Sequence, residues 1–174
     1  PRHITAVELG EQAFSQALHS VSENGYEENI EVIREDIREI KKIIPHPTLD
    51  LAACNPPYKA VGAGLRNPDE RMENARHECT CTLEDIAKAG RDVLRFGGRF
   101  CLCQRPERLA DAMNVFRSYG LEPKRLRLVQ QRINTAPSLF LLEVRRGGKP
   151  GLSVLPTLII EDENGGFSAE MLEI

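Results

Sequence analysis

The sequence predicts an α/β fold: a mostly parallel sheet with helices on both faces, finished by an antiparallel strand at the carboxyl end. Three observations carry this. Short apolar runs alternate with segments of helical periodicity up to about residue 119, as parallel strands joined by crossover helices do. Two long strand-like segments then follow with no helix between them. Three successive strands also end on polar side chains, Glu8, Asp36 and Asn55. A parallel sheet aligns such ends along one carboxyl edge, where open α/β sheets bind their ligands.

Taken in order, Ile4-Thr5-Ala6-Val7-Glu8 is a short apolar strand closed by a carboxylate. A helix from about Glu11 to Glu23 follows, with Ala13, Phe14, Ala17, Leu18 and Val21 on one stripe. Asn24-Gly25 closes it, with Gly25 suited to a left-handed cap. Asn29 to Glu35 is the second strand, and a short charged helix over about Arg38 to Ile44 leads to the third, Asp50 to Cys54. Residues 59–76 are polar and weakly periodic and read as a long loop, the kind that often serves function. A helix is expected over Leu83 to Phe96, opened by a capping box of Thr82 and Asp85 and stopped by Gly97-Gly98. Arg99 to Gln104 is a strand, and Pro106 to Tyr119 a helix with proline in its first turn and Gly120 behind it. Glu122 to Ile133 and Ser138 to Arg146 read as an antiparallel pair, and Leu158 to Glu161 as a last strand before an acidic tail.

The third strand ends in Asn55-Pro56-Pro57-Tyr58. Each proline fixes φ near −65° and lacks an N–H, so the strand stops and the backbone stiffens. The residue before a proline is held extended, which constrains Asn55. Asn55 offers an amide oxygen and Pro56 a carbonyl, so two acceptors can converge on one NH2 group. Tyr58 adds an aromatic face. The set suits a planar group with an exocyclic amine; a proline-stiffened turn with a half-buried tyrosine is the plainer alternative. Taken singly, Glu8 also reads as a solvated strand-end acid and Asp36 as a helix N-cap.

At 174 residues, with 41% hydrophobic and 28% charged side chains, the chain is expected to form one globular domain. No apolar run approaches the roughly 20 residues that span a bilayer, so no membrane partner is expected. The five cysteines show no C-x-x-C pair and no spacing that suits zinc, so they read as packed free thiols in a reducing cytoplasm, with no metal. The net charge of −3 hides an asymmetry: residues 97–150 carry 11 basic and 4 acidic side chains. A basic segment in an acidic protein fits a nucleic-acid footprint, and Lys124, Arg125, Arg127, Arg132, Arg145 and Arg146 are the candidate phosphate contacts.

Several segments together resemble the class I S-adenosylmethionine-dependent methyltransferases of the Asn-Pro-Pro-Tyr, amino-methylating kind. They are Ala6-Val7-Glu8-Leu9, Glu35-Asp36-Ile37, Asn55-Pro56-Pro57-Tyr58, Ala75-Arg76-His77-Glu78 and Leu94-Arg95-Phe96-Gly97-Gly98-Arg99-Phe100. Within that class the chain is similar to the bacterial tRNA1(Val) adenine-N6-methyltransferases, through Ala75 to Glu78 and through Pro156-Thr157-Leu158-Ile159-Ile160. The resemblance implies a Rossmann-like fold, S-adenosylmethionine as cofactor, and N6-methylation of an adenine in RNA, tRNA first. It implies cofactor contacts from Glu8, Leu9, Asp36, Ile37 and Asn55, a catalytic loop of Asn55, Pro56, Pro57 and Tyr58, and substrate contacts from Tyr58, Lys59, Arg76 and His77. Glu8 would accept from the ribose hydroxyls and Asp36 from the adenine amine of the cofactor.

The family also begins with a strand and a glycine-rich loop, whereas the first strand here matches the family's second. The chain is therefore expected to be a fragment without its amino-terminal part. The missing strand belongs in mid-sheet, so a raw sheet edge should be exposed and offers a route to self-association. Other planar amines remain as alternative acceptors: adenine in DNA, guanine N2 in RNA, or the glutamine amide of a protein. A non-catalytic, RNA-binding relative is the second alternative.

Overall fold

The structure, a computed structural model, describes residues 3–56 and 81–174. Strands β1 (Ile4–Glu8) and β2 (Ile30–Arg34) are joined by helix α1 (Glu11–Glu23) and pair in parallel, Ile4 opposite Ile30 and Glu8 opposite Arg34. Gly25 takes φ 67° behind α1, the left-handed cap its missing Cβ permits. A 3-10 segment over Ile37–Lys42 then leads to β3 (Leu49–Cys54).

Helix α2 (Leu83–Val93) opens with the expected capping box: the Asp85 amide donates to Thr82 Oγ1 at 3.1 Å and the Thr82 amide to Asp85 Oδ2 at 3.0 Å. Its end differs from expectation. The helix stops at Val93, and strand β4 runs from Leu94 to Gln104, taking in Gly97-Gly98. A strand partner decides this rather than the glycines, since Leu94 pairs with Leu49. The glycines serve the strand: Gly97 sits at φ 81°, and a Cβ on Gly98 would lie 3.0 Å from the Leu49 carbonyl. After a 3-10 turn at Pro106–Arg108 come α3 (Leu109–Ser118), β5 (Leu121–Gln130), β6 (Leu139–Arg146), the short β7 (Ser153–Val154) and β8 (Leu158–Ile159), and α4 (Ala169–Leu172).

The larger sheet has the order β3-β4-β6-β5-β7, with β8 also on β5. β3 and β4 are parallel, and β6 runs antiparallel between β4 and β5. The expected mixed sheet with an antiparallel carboxyl end is thus present. β3 is the edge strand of this sheet, and β1 and β2 form a separate two-stranded sheet among the described residues.

Strand alternation separates the two faces of the larger sheet. On one, Phe100, Leu102, Phe140, Leu142 and Val144 are buried against α2 and α3. Phe100 and Phe116 meet with ring centroids 5.3 Å apart, and a Cβ on Gly90 would lie 2.6 Å from the Phe100 ring, so α2 needs that glycine to seat on the sheet. The other face carries Leu51 and Leu141, both exposed, with Arg99, Arg125 and Glu143 around them. The α1 stripe is only half-buried, with Leu18 exposed, because a two-stranded sheet gives it little to pack on. No helix among the described residues is long and apolar enough to cross a membrane.

Candidate functional site

The local chemistry of three strand ends builds the site. Glu8 is the last residue of β1, and its carbonyl accepts the Glu35 amide at 3.2 Å. That bond carries the parallel ladder one residue past β2, so Asp36 emerges at the same end as Glu8. The exposed Glu8 carboxylate makes no hydrogen bond or ion pair within the described residues. Leu9 is exposed beside it, and its carbonyl receives Arg34 Nε at 3.4 Å.

Asp36 caps the 3-10 segment. Its Oδ1 accepts the Arg38 amide at 2.9 Å, and the Arg38 guanidinium lies 2.5 Å from Oδ2. The Arg38 side-chain bond holds the Asp36 carboxyl below the usual carboxylate range, against a smaller opposing effect of burial. Both oxygens are engaged, yet a carboxylate has about four lone-pair directions, so it can accept a further donor. Ile37 is half-buried and packs against the hydrophobic core.

Asn55 leaves β3 immediately after Cys54 and is exposed, while Pro56 behind it is buried. The asparagine is therefore presented outward from a stiff, anchored backbone. The neighbouring Cys54 thiol is pushed up to about 11, first by burial, then by Cys81 and by the Glu8 carboxylate. Val7 beside Glu8 and Cys54 beside Asn55 both pack against the one hydrophobic core, although β1 and β3 do not pair among the described residues. Among the sequence-predicted residues the structure places Glu8 and Leu9 at the end of β1, Asp36 just past β2 at the same edge, and Asn55 and Pro56 just past β3. Pro57, Tyr58, Lys59, Arg76 and His77 lie outside the described residues. An apolar cavity of about 460 Å3 opens beside Asn55, lined by Ala53, Cys101, Cys103 and Leu141.

The arrangement holds an unengaged carboxylate and a capped aspartate on one side and an exposed amide on the other. Such a donor-poor, acceptor-rich set fits a ligand that brings its own hydroxyl and amine hydrogens, as S-adenosylmethionine does. Among the described residues there is no cluster of His, Cys, Asp and Glu that could hold a metal, and Cys54 and Cys101 are free thiols.

The candidate phosphate contacts divide. Arg127 bonds the Pro156 carbonyl and Glu170, Arg132 bonds Glu161, and Arg146 bonds the Leu94 carbonyl, so these three hold the fold. Lys124, Arg125 and Arg145 instead line an open hollow at the amino end of the sheet, together with Arg95 and Arg99. The last two were absent from the sequence candidates. Arg99 opened the expected strand and its signal was the alternation with Cys101; Arg95 fell in the expected helix and becomes legible only once β4 begins at Leu94.

No family model matches the chain. It is 30% identical over 175 residues to the tRNA1(Val) (adenine(37)-N6)-methyltransferase of Tolumonas auensis, covering 98% of this chain and 69% of that one. It is 26% identical to the protein of the same name from Parabacteroides distasonis, covering 98% and 70%. Among solved structures, a predicted O-methyltransferase from Agrobacterium tumefaciens superposes with a TM-score of 0.74 at 17% identity, over 97% of this chain and 74% of that one. TrmN from Thermus thermophilus superposes with a TM-score of 0.55 at 19% identity, over 83% and 36%. At those identities the structures speak for the fold, which is the Rossmann-like fold of class I methyltransferases.

Proposed function

This chain belongs to the tRNA1(Val) (adenine(37)-N6)-methyltransferase family of S-adenosylmethionine-dependent enzymes, and on that premise we propose that it methylates the N6 amine of an adenine in tRNA. The observation that carries the proposal is Asn55: an exposed amide before a buried proline, at the end of a strand whose Cys54 packs on the same core as Val7 beside Glu8.

S-adenosylmethionine supplies an activated methyl group. The chain's own residues do the positioning. Glu8 offers two oxygens to a pair of ribose hydroxyls, with Leu9 beside it as an apolar neighbour. Asp36 accepts from an adenine amine, and its bond to Arg38 keeps it ionised for that purpose. Ile37 gives the ring an apolar contact. Asn55 and the Pro56 carbonyl accept the two hydrogens of the target amine. An aryl amine normally donates its lone pair into the ring; acceptors that fix its hydrogens favour a geometry in which that pair is available. This is catalysis by orientation and electrostatics, with no covalent enzyme intermediate. Pro57 and Tyr58 complete the loop, Tyr58 stacking on the target base, with Lys59, Arg76 and His77 as further substrate contacts. A base in a loop is splayed out at lower cost than one in a duplex. The work belongs in the cytoplasm, where tRNA is found and free thiols persist.

The test offers purified tRNA, DNA and a release-factor protein side by side with labelled S-adenosylmethionine. The expected result is label on tRNA, recovered as N6-methyladenosine after digestion. Label on the protein alone would overturn the proposal.

A further inference from the structure

Arg95, Arg99, Lys124, Arg125 and Arg145 share one open hollow set back along the strands from Asn55; Arg125 and Glu143 stand at its near end, where they also line the cavity beside Asn55. Three strands bring them together. Arg99 faces Arg145 across β4 and β6, and Arg125 faces Glu143 across β5 and β6. The sequence scatters them over 51 positions, and their union is a product of strand register.

The charge balance of the hollow is unusual for a protein whose net charge is −3. Two carboxylates face the five cations. Asp50 pairs with Arg95 at 2.6 Å, and Glu143 is shared between Arg125 and Arg99, the latter at 3.7 Å. The remaining cations are held by neutral carbonyls: Arg145 Nε donates to the Gly97 carbonyl at 3.0 Å and Lys124 Nζ to the Lys149 carbonyl at 3.0 Å. A carbonyl fixes a cation in place without cancelling its charge. The hollow therefore keeps an excess of three positive charges on side chains that are already positioned, which lowers the ordering cost of gripping an anion.

We infer that this hollow is a second RNA contact, which grips the phosphate backbone of the folded tRNA outside the segment carrying the target base; the inference rests on tRNA being the substrate. Distance supports it. Leu51, opposite Arg99, lies four residues before Asn55, so Arg99 sits about 13 Å back along the strands and Arg95 farther still. A nucleotide held at Arg95, Arg99 and Arg145 is not the one whose amine reaches Asn55. A pinned, spread set of cations with no aromatic platform among its lining residues suits phosphates rather than bases.

The test compares the wild-type protein with Lys124→Gln/Arg145→Gln and with Lys124→Gln alone, which gives up only the Lys149 contact. Binding of a full tRNA is followed by fluorescence anisotropy across a salt series, and methyl transfer is measured on that tRNA and on a short hairpin carrying the target adenine. The double variant should lose about tenfold or more in tRNA affinity, and its log–log salt slope should fall by about 1.5. Lys124→Gln should lower the slope by about 0.7–0.9 with an unchanged melting temperature. KM for full tRNA should rise while kcat, and both constants for the hairpin, stay within about twofold of wild type. Unchanged slopes and affinities, or a wild type with no measurable tRNA affinity, would overturn the inference. A wild type that transfers no methyl group to any RNA, yet shows patch-dependent affinity, would leave the hollow standing and sink the functional reading instead.

Discussion

The amino-terminal β1-α1-β2 unit is a parallel pair on a half-buried helix, whereas in the carboxyl-terminal sheet β6 runs antiparallel between β4 and β5 over the buried core. Among the described residues, every buried apolar side chain except those of Ile40 and Pro56 lies at Leu83 or beyond. α1 buries none of its residues, whereas α2 buries Leu83, Ile86, Ala87, Ala89, Gly90 and Val93. The proposed site draws on both regions. Asn55 extends from β3, which is paired to the rigid sheet, while Glu8 and Asp36 hang on the loosely packed pair. The acceptor of the methyl group is therefore met by a stiff frame, and its donor by a frame that ligand contacts can stabilise. Cofactor binding should report on the amino-terminal unit first.

The largest effect expected is catalytic. Asn55→Ala should lower single-turnover methyl transfer by about 100- to 1,000-fold, the scale seen when a preorganised polar contact is removed. Because the side chain is exposed, denaturant stability should stay within about 0.5 kcal/mol. A large stability loss would mean that Asn55 supports the turn rather than the substrate.

Next comes the packing contrast itself. Phe116→Ala should cost about 3–5 kcal/mol, since Phe116 is fully buried against Phe100. Leu18→Ala on α1, by contrast, should cost about 0.5 kcal/mol or less. Equal losses in denaturant titrations would erase the distinction between the two regions.

Asp36→Ala removes a helix cap and a proposed cofactor contact together. Loss of the cap should cost about 1 kcal/mol, and S-adenosylmethionine affinity by calorimetry should fall by about tenfold. Retained affinity would leave Asp36 as a cap only.

The smallest effects are on pH. The Cys54 thiol is raised from 9.0 to about 11 in the folded protein. Its contribution to stability is fully present below the unfolded value and is lost as pH climbs through that window, because the unfolded chain ionises first. Cys54→Ala should flatten the stability profile there. Asp36 has the opposite sign: its depressed carboxyl adds stability above its unfolded value, and that is lost as pH falls through the folded value.

Local chemistry was legible in the sequence and tertiary geometry was not. The Thr82–Asp85 box, the Gly25 cap and the end of β3 at Asn55-Pro56 depend on residues within a few positions of one another, and each appears where the residues place it. The misplaced boundary at Val93 arose because Gly97-Gly98 is a helix stop in local terms, whereas Leu49, far away in sequence, recruits Leu94 into a strand. Arg95 was lost with it, because the expected helix ran through it, whereas the expected strand already began at Arg99. The two-residue strand Ser153–Val154 carries too little pattern to be read. Glu8 and Asp36 could be placed on a carboxyl edge, but the division of the strands into two sheets, with β1 and β2 apart from β3, could not be read from local pattern.

Hydrogen exchange with and without S-adenosylmethionine tests most directly whether the strand ends form one site. The account predicts that the cofactor slows exchange together in residues 4–8, 30–37 and 49–55, and leaves the β5–β6 core at 121–146 unchanged. Protection confined to 121–146, with none at 4–8 and 30–37, would contradict it.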